Sequence, residues 1–178
     1  MDTFPTFFTR RRLLGLAIAA QMLFILAVAG AGYATTALGR TIVLRTTPVD
    51  PRDLLYGDYV RLNYSISQVK PELWHGSEAP KKAQPVYVLL QPANGVYEAA
   101  GVYATEPAAA PEQAILRGWV TDSWRRGIRL RYNLERYYVP ENTGLRLEKS
   151  ATRRPLLVRV SVAPWGQARI TQVGEVGR

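Results

Sequence analysis

The apolar and polar positions fall into two regimes along the chain. From Leu13 to about Leu38 almost every side chain is apolar, interrupted only by Gln21, Thr35 and Thr36. A helix needs roughly 20 apolar residues to cross the hydrocarbon core of a bilayer, and this run is long enough even when tilted. From Arg40 onward the pattern changes to short stretches in which apolar and polar residues alternate. Alternation at period two is the mark of a strand with one buried and one wet face. Val60, Leu62, Tyr64 and Ile66 fall on one side of such a stretch; Tyr59, Arg61, Asn63 and Ser65 fall on the other.

The alternation predicts strands over Arg40–Thr47, Asp58–Ser67, Pro85–Gln91, Val96–Thr105, Ala114–Thr121, Gly127–Tyr132, Leu156–Ala163 and Gln167–Val173. Leu134–Val139 continues the sixth after a bend at Asn133. Asn94-Gly95 between two of these runs is a strong hairpin signal. Between Gln68 and Gln84 the chain is looser, with a short helical turn near Glu72–His75, and Leu145–Ala151 reads as a short helix. No internal repeat and no long linker divides this region. The expected fold is mainly β: an antiparallel β-sandwich or barrel-like domain preceded by one N-terminal transmembrane helix. The corresponding organisation is a basic N-terminus over 1–12, an anchor over 13–38 and a β-rich domain over 40–178.

Charge sets the expected address. Arg10-Arg11-Arg12 precedes the apolar run, and basic residues on that flank hold it on the cytoplasmic side. The rest of the chain is then translocated, which predicts a single-pass membrane protein with its C-terminal domain on the extracytoplasmic side. A second reading is a cleaved signal peptide, with Ala27-Val28-Ala29 as the small-x-small site. The apolar stretch runs past that point to Ala34, which favours retention as a signal-anchor. From Arg40 the chain carries 20 Lys and Arg against 13 acids, so its soluble part is basic. Such a surface suits anionic partners, among them anionic lipid or an envelope polymer. Translocation sets nucleic acid aside.

Composition removes several chemistries. There is no cysteine, so there is neither a disulfide framework nor a thiolate nucleophile, and His75 is the single histidine. No Walker loop, dinucleotide fingerprint or metal-ligand spacing is present. No catalytic residue, cofactor or metal is therefore assigned. Two carboxylates stand out by position: Asp58 and Glu141, each at a turn beside a strand. They would be an acid pair or a cation site if they met, and a turn cap and an arginine partner if they did not. Arg129, Arg131 and Arg136 lie among Trp124, Tyr132, Tyr137 and Tyr138. Arginine and tyrosine are over-represented at interface hot spots. The expected contact surface is accordingly Tyr59, Arg61, Tyr64, Arg129, Arg131, Arg136, Tyr137 and Tyr138. The plainer reading is a solvated strand face.

Gly57-Asp58-Tyr59-Val60-Arg61-Leu62-Asn63-Tyr64 fills every fixed position of the GDYXXLXY motif. Val49–Leu55 upstream and Glu135–Glu141 downstream also resemble the bacterial GDYXXLXY family of membrane-anchored proteins. That resemblance implies a domain anchored in the bacterial inner membrane and lying in the periplasm, often associated with a polytopic membrane protein, and no established activity. A looser resemblance links Pro51, Gly57-Asp58-Tyr59-Val60 and the Tyr-Val-Pro-Glu block to strands of leader peptidases. Those enzymes place a serine eight residues before the Gly-Asp pair; here that position is Val49, which has no nucleophilic atom. Thr46, Thr47 and Lys70 are off register, so only a scaffold without its dyad would be shared. The expectation is a non-enzymatic anchored domain that binds a membrane or envelope protein. The alternatives are a degenerate peptidase-like scaffold and a binder of anionic lipid or cell-wall polymer.

Overall fold

The structure, a computed structural model, describes residues 10–48, 59–138 and 155–175. It opens with one helix, α1, over Arg10–Ala37, and continues into β1 over Arg40–Thr47 with only two residues between them. α1 is apolar around its whole circumference. Such a helix belongs either in a protein core or in a membrane. The core is excluded here, because Leu14, Leu23 and Phe24 are 64%, 69% and 69% exposed. At 28 residues α1 is about 42 Å long, more than the ~30 Å hydrocarbon thickness. It is one N-terminal helix long and apolar enough to span a membrane.

Among the described residues the strands after it pair antiparallel, and one isolated bridge, Trp74 to Val102, is parallel. Strands β2 (Tyr59–Arg61), β3 (Asn63–Tyr64) and β4 (Gln68–Val69) follow β1. The hairpin of β5 (Pro85–Ala93) and β6 (Val96–Tyr103) comes next, then β7 (Ala114–Trp124), β8 (Gly127–Arg131) and β9 (Arg136–Tyr138). The last pair is β10 (Leu156–Val162) and β11 (Ala168–Glu175). One sheet has the order β11-β10-β1-β3, a second has β4-β8-β7-β5-β6, and β2 pairs with β9. The sheets curl around a single core, so the mainly β, antiparallel expectation holds.

That core is aliphatic, with Ile42 and Leu44 from β1, Val86, Val88 and Leu90 from β5, Leu116 and Val120 from β7, and Leu156, Val158 and Val160 from β10 all buried. These are the inward positions of the alternating runs. Asn94 and Gly95 both take positive φ (51° and 80°), the requirement of the tight turn that matches strand twist. The edge of β7 beyond the reach of β8 is closed by the β10–β11 turn, where Arg117 N–H donates to the Gly166 carbonyl at 2.9 Å. The fixed join between helix and sheet is also short. Ser161 Oγ on β10 donates to the Thr35 carbonyl at 3.0 Å, and both residues are buried. A side chain on Gly39 would run into Ser161 Oγ and the Thr35 carbonyl, so this crossing needs glycine.

The stretch expected to run straight from Asp58 to Ser67 is a correction. Its described part is broken into β2, β3 and a 3-10 turn at Ser65–Ser67 that leads into β4, and each of the three strands pairs with a different partner. The chain walks from one sheet to the other around a corner. Burial still alternates throughout, with Val60, Leu62, Tyr64 and Ile66 all inside. The hydrophobic period survived the corner, and so concealed it. The expected helical turn near Glu72–His75 is present as a 3-10 turn over Pro71–Leu73. The helix expected at Leu145–Ala151 lies outside the described residues.

Candidate functional site

The corner is locked by two tyrosines that cross it in opposite directions. Tyr64 Oη donates to the Leu134 carbonyl at 2.8 Å, and Tyr132 Oη donates to the Ile66 carbonyl at 2.5 Å. Each satisfies a carbonyl that no strand ladder could reach at the bend. Leu62 N–H donates to the Glu135 carbonyl at 2.9 Å, and Tyr132 N–H to Glu135 Oε1 at 2.6 Å. Burial pushes both phenols well above their ordinary value of 10, and the nearby Glu135 charge adds to this. Both stay protonated and donate across the physiological range. Asn133, between these groups, takes φ 60°, a positive value at the bend between β8 and β9, and Tyr132 and Leu134 on either side of it are buried.

Tyr64 was expected on the contact surface and is instead in the core, 2% exposed. Its own alternation explains the correction: it shares a face with Leu62 and Ile66. Tyr59 and Tyr137 are half-buried, whereas Tyr138 is 70% exposed and packs its ring at 5.8 Å from that of Tyr59. The Arg136 guanidinium lies 5.4 Å from the Tyr59 ring centre, and Arg61 is exposed on the strand paired with β9. Tyr59, Tyr138, Arg61 and Arg136 form one patch, whereas Tyr137, expected on the contact surface, lies opposite Val60 and packs against the core. Asp58 and Glu141 lie outside the described residues, so their separation is not a feature of this structure.

On the outward side of β8 lies a different arrangement. Arg129 sits 5.4 Å from the Trp124 ring centre, while Arg131 and Arg117 lie at 5.8 and 5.9 Å on Trp119. The tryptophans come from β7, so a cross-strand ladder of rings supports a ladder of cations. Neither Arg129 nor Arg131 forms an ion pair with a carboxylate among the described residues. Both line a groove of about 660 Å³ that also touches Asn63, Ser65, Ser67, Gln68 and Thr121. A bulge in β7 between Val120 and Asp122 leaves Thr121 without a partner on β8 and exposes it to the groove. Ser67 Oγ is buried in the groove wall without a hydrogen-bond partner among the described residues.

A family model described as GDYXXLXY protein matches residues 21–173. The chain belongs to the GDYXXLXY family. The match takes in the second half of α1 and nearly all of the β domain, so the helix–domain join belongs to the family's common body. Comparison with curated proteins and with solved structures returned no match. In this GDYXXLXY protein the motif's last two fixed residues, Leu62 and Tyr64, are core residues, and Tyr59 is half-buried. Among the described residues no group of three or more His, Asp or Glu is placed to hold a metal ion. Alternation pointed to Arg129 and Arg131 as outward residues, and they are. It missed Ser67, Gln68, Thr121 and Trp119, because a bulge and a 3-10 turn leave no period of their own.

Proposed function

We propose that this chain is a single-pass, non-enzymatic membrane protein whose β domain stands on the extracytoplasmic side and binds a membrane or envelope protein. What carries the reading is the outward face of β7 and β8, where arginines rest on tryptophans without carboxylate partners among the described residues. Holding a guanidinium on a ring limits its freedom before a partner arrives, so less entropy is lost on binding. Aromatic and arginine side chains are also the residues on which interface affinity concentrates. The tie between Thr35 and Ser161 supports a retained anchor, because it couples the last turn of the helix to the domain. With two residues between helix and sheet, the domain's reach is confined to partners close to the bilayer.

The test is photo-crosslinking in native membranes from position 121, at the groove, against position 172, exposed on β11. A discrete protein adduct from 121 and none from 172 is expected. Lipid adducts alone, or equal adducts from both positions, would remove the reading. The address is checked separately. A single cysteine placed in this cysteine-free chain at position 121 should react with a membrane-impermeant maleimide in cells whose outer barrier is opened. Reaction only after the inner membrane is dissolved would reverse the orientation.

A further inference from the structure

The groove on β8 has features that define the kind of segment it accepts. Arg129 and Arg131 are two positions apart on one strand and line the same groove. Residues so spaced point the same way and stand about 7 Å apart. An extended peptide laid alongside has the same repeat, so acidic side chains at positions i and i+2 would each face one arginine. The remaining lining is suited to a polypeptide backbone. Asn63 and Gln68 supply amides, Thr121 supplies a hydroxyl, and Ser65 supplies a hydroxyl oxygen whose proton is already donated to the Arg45 carbonyl at 3.3 Å; all four residues are exposed.

We infer that this groove is the docking site for an extended acidic segment of a partner protein, with carboxylates two residues apart gripped by Arg129 and Arg131. The inference rests on the partner-binding reading above and names the recognition chemistry. Charge complementarity favours this occupant, because the domain is basic and the groove lining holds two arginines against one acid, Glu135, while Asp122, opposite Arg129 on β7, accepts the Ser123 N–H. Glu135 is also engaged, accepting the Tyr132 N–H. The pairing of a planar guanidinium with a carboxylate is bidentate and directional, which fixes the segment's register.

The experiment uses the full chain in a non-ionic detergent and a fluorescent peptide, Gly-Ser-Glu-Ser-Glu-Ser-Gly, read by anisotropy at low and high salt. A second peptide carries the two glutamates side by side, which places them on opposite faces when extended. The alternating peptide should bind more tightly than the adjacent one and weaken as salt rises. Arg129→Gln and Arg131→Gln should each cost roughly tenfold in affinity. Equal affinity for the two peptides, or wild-type affinity in both arginine variants, would overturn the inference. So would polyphosphate displacing the peptide and binding more tightly through the same arginines, which would make the occupant a phosphate polymer. If Arg129→Gln/Arg131→Gln keeps the full protein adduct from position 121, the groove assignment falls and the partner-binding reading stands.

Discussion

Inward and outward residues of β8 alternate one by one, yet they obey different rules. Ile128 and Leu130 are sealed inside, and Tyr132, just past the strand, carries the same face to the corner, where its hydroxyl is spent on the Ile66 carbonyl. Arg129 and Arg131 point out, rest on tryptophans and leave their donors unclaimed by any described carboxylate. On the inward side the Tyr132 hydroxyl is used by the fold; on the outward side the two guanidinium groups rest on rings with no carboxylate partner among the described residues. The difference teaches where to look for function in this family member. The residues that make the motif recognisable, Leu62 and Tyr64, belong to the first class, so the motif marks a structural corner.

The comparison can be broken most forcefully from the inside. Tyr64→Ala or Tyr132→Ala removes a buried ring and a hydrogen bond, and each should cost about 3–5 kcal/mol of stability in denaturant unfolding of the full chain in detergent. Tyr64→Phe keeps the ring and strands the Leu134 carbonyl, costing about 1–3 kcal/mol. If these changes cost nothing, the corner is not held as described.

Alkaline pH sharpens the same point. Both phenols have folded pKa values raised above the ordinary 10 by burial and then by Glu135. Their contribution is complete below pH 10. Above it the unfolded chain releases protons that the folded chain retains, so stability falls. Each tyrosine should remove about 1.4 kcal/mol per pH unit on the way up to its folded pKa. Tyr64→Phe should shed its share of that slope in unfolding measured between pH 9 and roughly pH 11, and an unchanged slope would count against burial of the phenol.

Gly39→Ala tests the join rather than the corner. The added methyl meets the Thr35 carbonyl and Ser161 Oγ, so crowding should cost about 1–3 kcal/mol, read as a lower unfolding temperature. The smallest effect is expected outside. Arg129→Gln and Arg131→Gln should change stability by less than about 0.5–1 kcal/mol, the worth of an exposed cation–ring contact. A large loss would place the arginines in the fold after all.

The parts that were legible in the sequence are those with an uninterrupted period. β1 is found with both its ends, and the β5–β6 hairpin is found through Asn94-Gly95. β10 is found through Leu156, Val158, Val160 and Val162, all buried. Period two reports which side a residue faces but not which strand it bonds to. For that reason the run from Asp58 to Ser67 reads as one strand while its described pieces, β2 and β3, serve different partners. The Tyr64–Leu134 and Tyr132–Ile66 bonds join residues about 70 positions apart, and no local pattern encodes them. Arg129 and Arg131 were legible as outward cations. Their tryptophan supports depend on cross-strand register, which the β7 bulge shifts by one residue.

The division between the two faces is tested most directly by measuring one pair of variants in two assays. Arg129→Gln/Arg131→Gln and Tyr64→Phe would each be assayed for thermal unfolding and for the protein adduct formed from a photo-crosslinker at position 121. The account predicts that the arginine variant unfolds near the wild-type temperature and loses the adduct. Tyr64→Phe should unfold earlier and keep the adduct at temperatures where it remains folded. A full adduct from the arginine variant, or one lost from a still-folded Tyr64→Phe, would contradict it.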